Sequence, residues 1–101
     1  AMATEAAATA EKETKTKAMT PPQIRRQMAQ LGSAMKAGHE AVHRKDLQSA
    51  LRHFKDAQRT GSAIPDWLST AEAMNQISRV LTATGKVREA SMVIQLALAL
   101  P

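Results

Sequence analysis

The chain has 101 residues, no cysteine and only two aromatic residues, Phe54 and Trp67. Disulfides, thiolate metal sites and cysteine nucleophiles are thereby excluded, and a β-sandwich or barrel lacks the aromatic and β-branched residues it needs. The net charge of +5 is carried by 20–101, where eleven Lys/Arg face six Asp/Glu; before it Lys12, Lys15 and Lys17 balance Glu5, Glu11 and Glu13. Such an excess attracts polyanions or acidic proteins. No stretch approaches the ~20 apolar residues of a membrane span, so no membrane partner is expected.

In chain order, 1–19 is Ala/Thr/Glu/Lys of low complexity, with methionine its only large apolar residue. It cannot bury enough surface to offset the entropy of ordering and reads as a disordered tail. Thr20-Pro21-Pro22-Gln23 then offers a hydroxyl N-cap, proline in the first turn and Gln at N3. Ile24, Met28, Leu31, Met35 and Val42 follow on one helical face, widened by Ala34 and Ala41, which predicts a first helix to about His43. Arg44-Lys45-Asp46 is a tight connection, with Asp46 an N-cap.

The second helix puts Leu47, Ala50, Leu51, Phe54 and Ala57 inward, with Gly61 placed to stop it and 62–65 as loop. A third helix has two possible starts: Asp66 caps it directly, or Ser69-Thr70-Ala71-Glu72 forms a capping box with Leu68 before it. Its stripe is Ala71, Met74, Ile77 and Leu81, and Gly85 ends it. The fourth carries Val87, Ala90, Ile94, Ala97 and Leu98 inward. Met92, Val93, Leu96, Leu98 and Leu100 leave it apolar nearly all round. Such a helix is covered all round, so these five residues are expected to form an interaction surface, for a next repeat of a parent chain that continues past Pro101, a second copy or another protein.

The core pattern recurs at an offset of 40: Leu47 over Val87, Ala50 over Ala90, Phe54 over Ile94, Ala57 over Ala97, Met35 over Asn75, Ala41 over Leu81. That is the mark of hairpin repeats. Over about 46–100 the residues also resemble known families. Ala50-x3-Phe54-x2-Ala57, with Gly38 at the small position of the preceding helix, resembles a tetratricopeptide repeat. Ala50-Leu51-x2-Phe54-x2-Ala57-x3-Gly61 running into Pro65-Asp66 resembles the second helix and exit turn of a pentatricopeptide repeat, with one extra residue. Asn75-x-Ile77-x3-Leu81-x3-Gly85-Lys86-Val87-x-Glu89-Ala90 resembles that family's first helix and the turn after it.

The pentatricopeptide resemblance implies a soluble intracellular protein, an organelle included, that binds single-stranded RNA one base per repeat. The base-selecting pair would be Met35 and Asp66 in the first hairpin, where Met35 lacks the hydrogen bonds, and Asn75 would begin the second pair. Lys36, Arg44 and Arg79 could hold phosphates. The tetratricopeptide resemblance implies a protein–protein adaptor instead.

One string suggests an enzyme. His39-Glu40-Ala41-Val42-His43 is HExxH, which on a helix sets two imidazoles one turn apart beside a carboxylate that could polarise a zinc-bound water. Catalytic zinc needs a third protein ligand. Only Glu72 or Glu89 is available on a later helix, and the metzincin continuation is absent after His43. His39 and His43 are therefore read as an incidental metal-binding pair at most, no catalytic residue is assigned, and no cofactor is implied. The expected fold is all-α: a disordered tail over 1–19, then 20–101 as two stacked antiparallel helical hairpins, about 21–61 and 66–100, forming a short α-solenoid. It is expected to be a non-catalytic helical-repeat binding module, first an RNA-associated pentatricopeptide-like one that takes single-stranded RNA and, as the alternative, a protein–protein adaptor for an acidic partner, with a homodimer through the fourth helix also open to it and an HExxH zinc peptidase a distant third.

Overall fold

The computed structural model describes residues 19–101, so the expected tail over 1–19 falls outside the described residues apart from Met19. Among the described residues four helices account for the fold: α1 (Pro21–His43), α2 (Leu47–Ala63), α3 (Trp67–Ala83) and α4 (Val87–Leu98). Among the described residues there is no strand. Each helix packs chiefly on its neighbour in sequence. The result is two antiparallel hairpins side by side.

Local chemistry sets the helix starts. The Thr20 hydroxyl accepts from the Gln23 N–H at 3.4 Å, and the Gln23 side chain accepts from the Thr20 N–H at 2.9 Å. With proline in the first turn, this is the full capping box. The Asp46 carboxylate accepts from the Ser49 N–H at 3.2 Å. Hydrogen bonding from the Ser49 side chain, then from its backbone, holds the Asp46 carboxyl below its ordinary value, and Arg44 and Arg52 add to this. At α3 the Asp66 start is the one used. Its carboxylate accepts from the Ser69 N–H at 3.1 Å and from the Ser69 hydroxyl at 2.7 Å. Trp67 and Leu68 therefore lie in the first turn of α3, not on a loop.

The three turns are built alike, at intervals of twenty residues. Asp46, Asp66 and Lys86 each donate a backbone N–H to the carbonyl five residues back, on Ala41, Gly61 and Leu81, at 2.8 Å in every case. Each then serves as N-cap of the next helix. In the first and third turns the preceding residue adds a shorter-range bond, Lys45 to Val42 and Gly85 to Thr82, completing a Schellman motif with φ of 64° and 82°. Pro65 has no N–H to give, so the middle turn keeps only the longer bond.

Gly61 does not stop α2. The helix runs through it to Ala63, so Ser62 and Ala63 are helical. A Cβ on Gly61 would lie 2.5 Å from Thr70 Oγ1 and 3.2 Å from the Thr70 backbone nitrogen. The glycine lets α3 approach; it does not turn the chain. Thr70, buried there, keeps its hydroxyl satisfied on the Asp66 carbonyl at 2.8 Å.

Lys86 is the one turn residue whose side chain makes no cap hydrogen bond. Lys86→Asp should reproduce the capping seen at Asp46 and Asp66 and raise stability by about 0.5–1.5 kcal/mol. Urea denaturation at neutral pH checks this; an unchanged midpoint would show that the N-terminus of α4 is already satisfied by water.

The core gathers Ala41, Ala50, Phe54, Ile77, Val80, Leu81 and Ala90, with Met35, Leu47, Leu51 and Val93 packed against it. Five of the ten buried apolar residues are alanines, and small contact residues bring helix axes close together. Two expected faces need correction. On α1 the buried residues are Gly38 and Ala41, whereas Ile24, Met28 and Val42 are only partly covered, with between a third and about a half of each exposed. α1 has 23 residues and α2 has 17, so α1 is roughly 9 Å longer and part of its stripe has nothing to cover it. On α4 the inward residue is Ala90, with Val93 beside it, while Val87, Ile94 and Leu98 are exposed.

Candidate functional site

α4 carries the largest uncovered apolar surface. Ala90 is buried, Val93 packs on the core, and Ala97 and Leu100 are half-buried. Their spacing of three, four and three is one helical face, turned to α3. Val87 (63% exposed), Ile94 (37%) and Leu98 (82%) form one flank of that face, and Met92 and Leu96 form the other. Glu89 interrupts the second flank near the start of the helix, and Arg88, Ser91, Gln95 and Ala99 occupy the remaining outward pole. At 100° per residue the apolar arc covers roughly two thirds of the circumference, and α3 covers only its middle. Of the five residues expected as an interaction surface, Met92, Leu96 and Leu98 are therefore exposed, while Val93 and Leu100 face inward. Val87 and Ile94 join the exposed set, which the expected inward stripe had hidden.

The twenty-residue recurrence lets α4 be compared with a helix that has neighbours on both sides. α3 buries Thr70, Ala73, Met74, Ile77, Ser78, Val80 and Leu81. Twenty residues on stand Ala90, Val93, Ile94, Ala97 and Leu98 of α4 and Leu100 just beyond it, all apolar, yet Leu98 is mostly exposed and Ile94 partly so. Forty residues back, α1 has Gln30, Ser33 and Glu40 at the positions of Thr70, Ala73 and Val80, and all three are exposed. The two ends of the stack thus differ: α1 is polar where a preceding helix would sit, and α4 is apolar where a following helix would sit.

The other candidates are placed as follows. Lys36, Arg44, Asn75 and Arg79 are all exposed, Asn75 and Arg79 one turn apart on α3. Met35, the position matched to Asn75 by the offset of 40, is half-buried against the core, so the two are not equivalent in environment. Phe54 is fully buried and Trp67 half-buried, which leaves no freely exposed aromatic ring for stacking a base. His39, Glu40 and His43 are exposed on α1 and with Arg44 line a shallow depression. The His39 ring meets Phe54 edge to face, centroids 5.2 Å apart at 73°. Among the described residues no three His, Asp or Glu side chains come together to hold a metal ion. No described helix is long and apolar enough to cross a membrane.

Comparison with known proteins found no similar family model, curated protein or solved structure.

Proposed function

We infer that this chain is a non-catalytic binding module of the helical-repeat kind, and that it works by packing helix against helix with another protein. The observation that carries this is the uncovered apolar arc of α4, at the end of a stack whose other end is polar. Monomeric proteins rarely leave such a contiguous patch open. The tetratricopeptide-like spacing of Ala50, Phe54 and Ala57 supports the same reading.

The competing reading is single-stranded RNA, as the pentatricopeptide-like residues imply, and the exposed Lys36, Arg44, Asn75 and Arg79 favour it. Its weakness is chemical: the base-reading position in the first hairpin is Met35, packed inside, and neither aromatic ring is free.

Fluorescence anisotropy with labelled oligo-uridine and oligo-adenosine separates the two. Weak binding is expected, in the non-specific range of about 10⁻⁴–10⁻⁶ M and equal for both sequences. Sub-micromolar binding that differs between the two oligomers and weakens steeply with added salt would overturn the protein-binding reading in favour of RNA.

A further inference from the structure

We propose that the partner of α4 is a second copy of this chain, docked α4 against α4 in antiparallel orientation about a two-fold axis. The proposal rests on the protein-binding reading above and names its partner. Three observations carry it.

The first is that the stack cannot propagate head to tail. A copy offering its α1 would present Gln30, Ser33 and Glu40, with Lys36 alongside, all exposed and polar, to the apolar flank of Val87, Ile94 and Leu98. Burying unpaired polar groups against apolar ones is costly. The complementary surface on this molecule is the same flank on another copy, which makes the contact isologous and closed.

The second is charge. The chain carries +5 overall, yet 91–101 hold no charged side chain; Lys86, Arg88 and Glu89 are confined to the N-terminal end of α4. A partner recognised through acidic groups would need basic groups on the docking flank, and the flank has none. Homodimer interfaces are the more apolar class and are depleted of charge at their centre, as this flank is.

The third is orientation. Parallel pairing would set Lys86 and Arg88 of one copy beside the same residues of the other, a like-charge contact. Antiparallel pairing sends each charged turn past the uncharged end of the other copy and opposes the two helix dipoles. Val87 of one copy then meets Leu98 of the other, Ile94 lies near Ser91, and the axis passes close to Ser91. With one flank of one helix buried, the contact is small, and a dissociation constant on the order of micromolar is expected.

Sedimentation equilibrium of the wild-type chain from low micromolar to millimolar should show the weight-average mass rising towards twice that of the monomer. Leu98→Arg should abolish the rise; Leu98 is 82% exposed in the monomer, so this variant should keep the wild-type circular dichroism spectrum and melt in dilute solution. Orientation is read by single cysteines, since the chain has none of its own. Under mild oxidation Ser91→Cys should form a disulfide-linked dimer at least tenfold faster than Ser33→Cys on the exposed face of α1. A mass that stays monomeric, a dimer that survives Leu98→Arg, or equal cross-linking of the two cysteine variants each overturns the proposal. A monomer that also shows no sequence-selective RNA affinity sinks the dimer and leaves the protein-binding reading standing; sub-micromolar, selective RNA binding sinks the reading itself.

Discussion

Phe54→Ala should leave the domain largely unfolded at room temperature. The ring is the largest fully buried side chain. It lies against Gly38 of α1 and belongs to the cluster that also holds Ile77, Val80, Leu81 and Ala90. Its removal costs the transfer free energy of the ring together with the void left behind, about 3–5 kcal/mol in comparable cores. A small domain has about 5–15 kcal/mol in total, and the chain's alanine-rich core places it at the low end. Thermal melting followed by circular dichroism checks this. A midpoint within a few degrees of the parent would mean that Phe54 is not the centre of the core.

Gly38→Ala should also destabilise, through the opposite fault. A Cβ on Gly38 would fall 2.5, 2.7 and 2.7 Å from three atoms of the Phe54 ring. The ring is enclosed and has nowhere to retreat. Overpacking of this kind costs about 1–3 kcal/mol, and the better helix propensity of alanine returns about 1 kcal/mol. The net loss is therefore up to about 2 kcal/mol. If the ring is the cause, the same change in a Phe54→Leu background should be neutral or stabilising. A double-mutant cycle by urea denaturation measures that coupling; additive losses would show that Gly38 is needed for a reason other than the ring.

How much of this was legible beforehand follows from where the information sits. The caps at Thr20 and Asp46 were readable because a cap is a contact between residues three apart, and both partners stand in the sequence side by side. The four helices and their hairpin pairing followed from the same local signals. Gly61 was misread because a glycine that ends a helix and a glycine that admits a neighbouring helix look identical in one dimension; the difference lies nine residues away, in Thr70 across the contact. The Asp66 start was only half legible, since Asp66 and Ser69 can each act as cap, and Ser69 proves to be the donor. The face of α4 was mis-phased for another reason. Large apolar residues crowd both sides of the helix, so the stripe that rightly held Ala90 and Ala97 took in Val87, Ile94 and Leu98, where the contact with α3 takes in Val93 instead. The candidate surface was found as a helix but assigned to the wrong mixture of its residues. The phosphate candidates Lys36, Arg44 and Arg79 were legible as cations, and exposure is what their sequence context already implied.

The repeated turn, in which one residue both closes a helix and opens the next, has a kinetic consequence. With every helix resting chiefly on its neighbours in sequence, native contacts span short stretches of chain, and loop closure costs little before the first apolar contacts form. Chains of this topology reach the native state in microseconds to milliseconds. The order of loss is set as well. α3 is held on both sides, while α4 is held on one, lacks a side-chain cap and has 12 residues against the 17 of α3. Local opening therefore begins at α4, and hydrogen-exchange protection should be lower there than in α2 and α3, each of which packs between two neighbours.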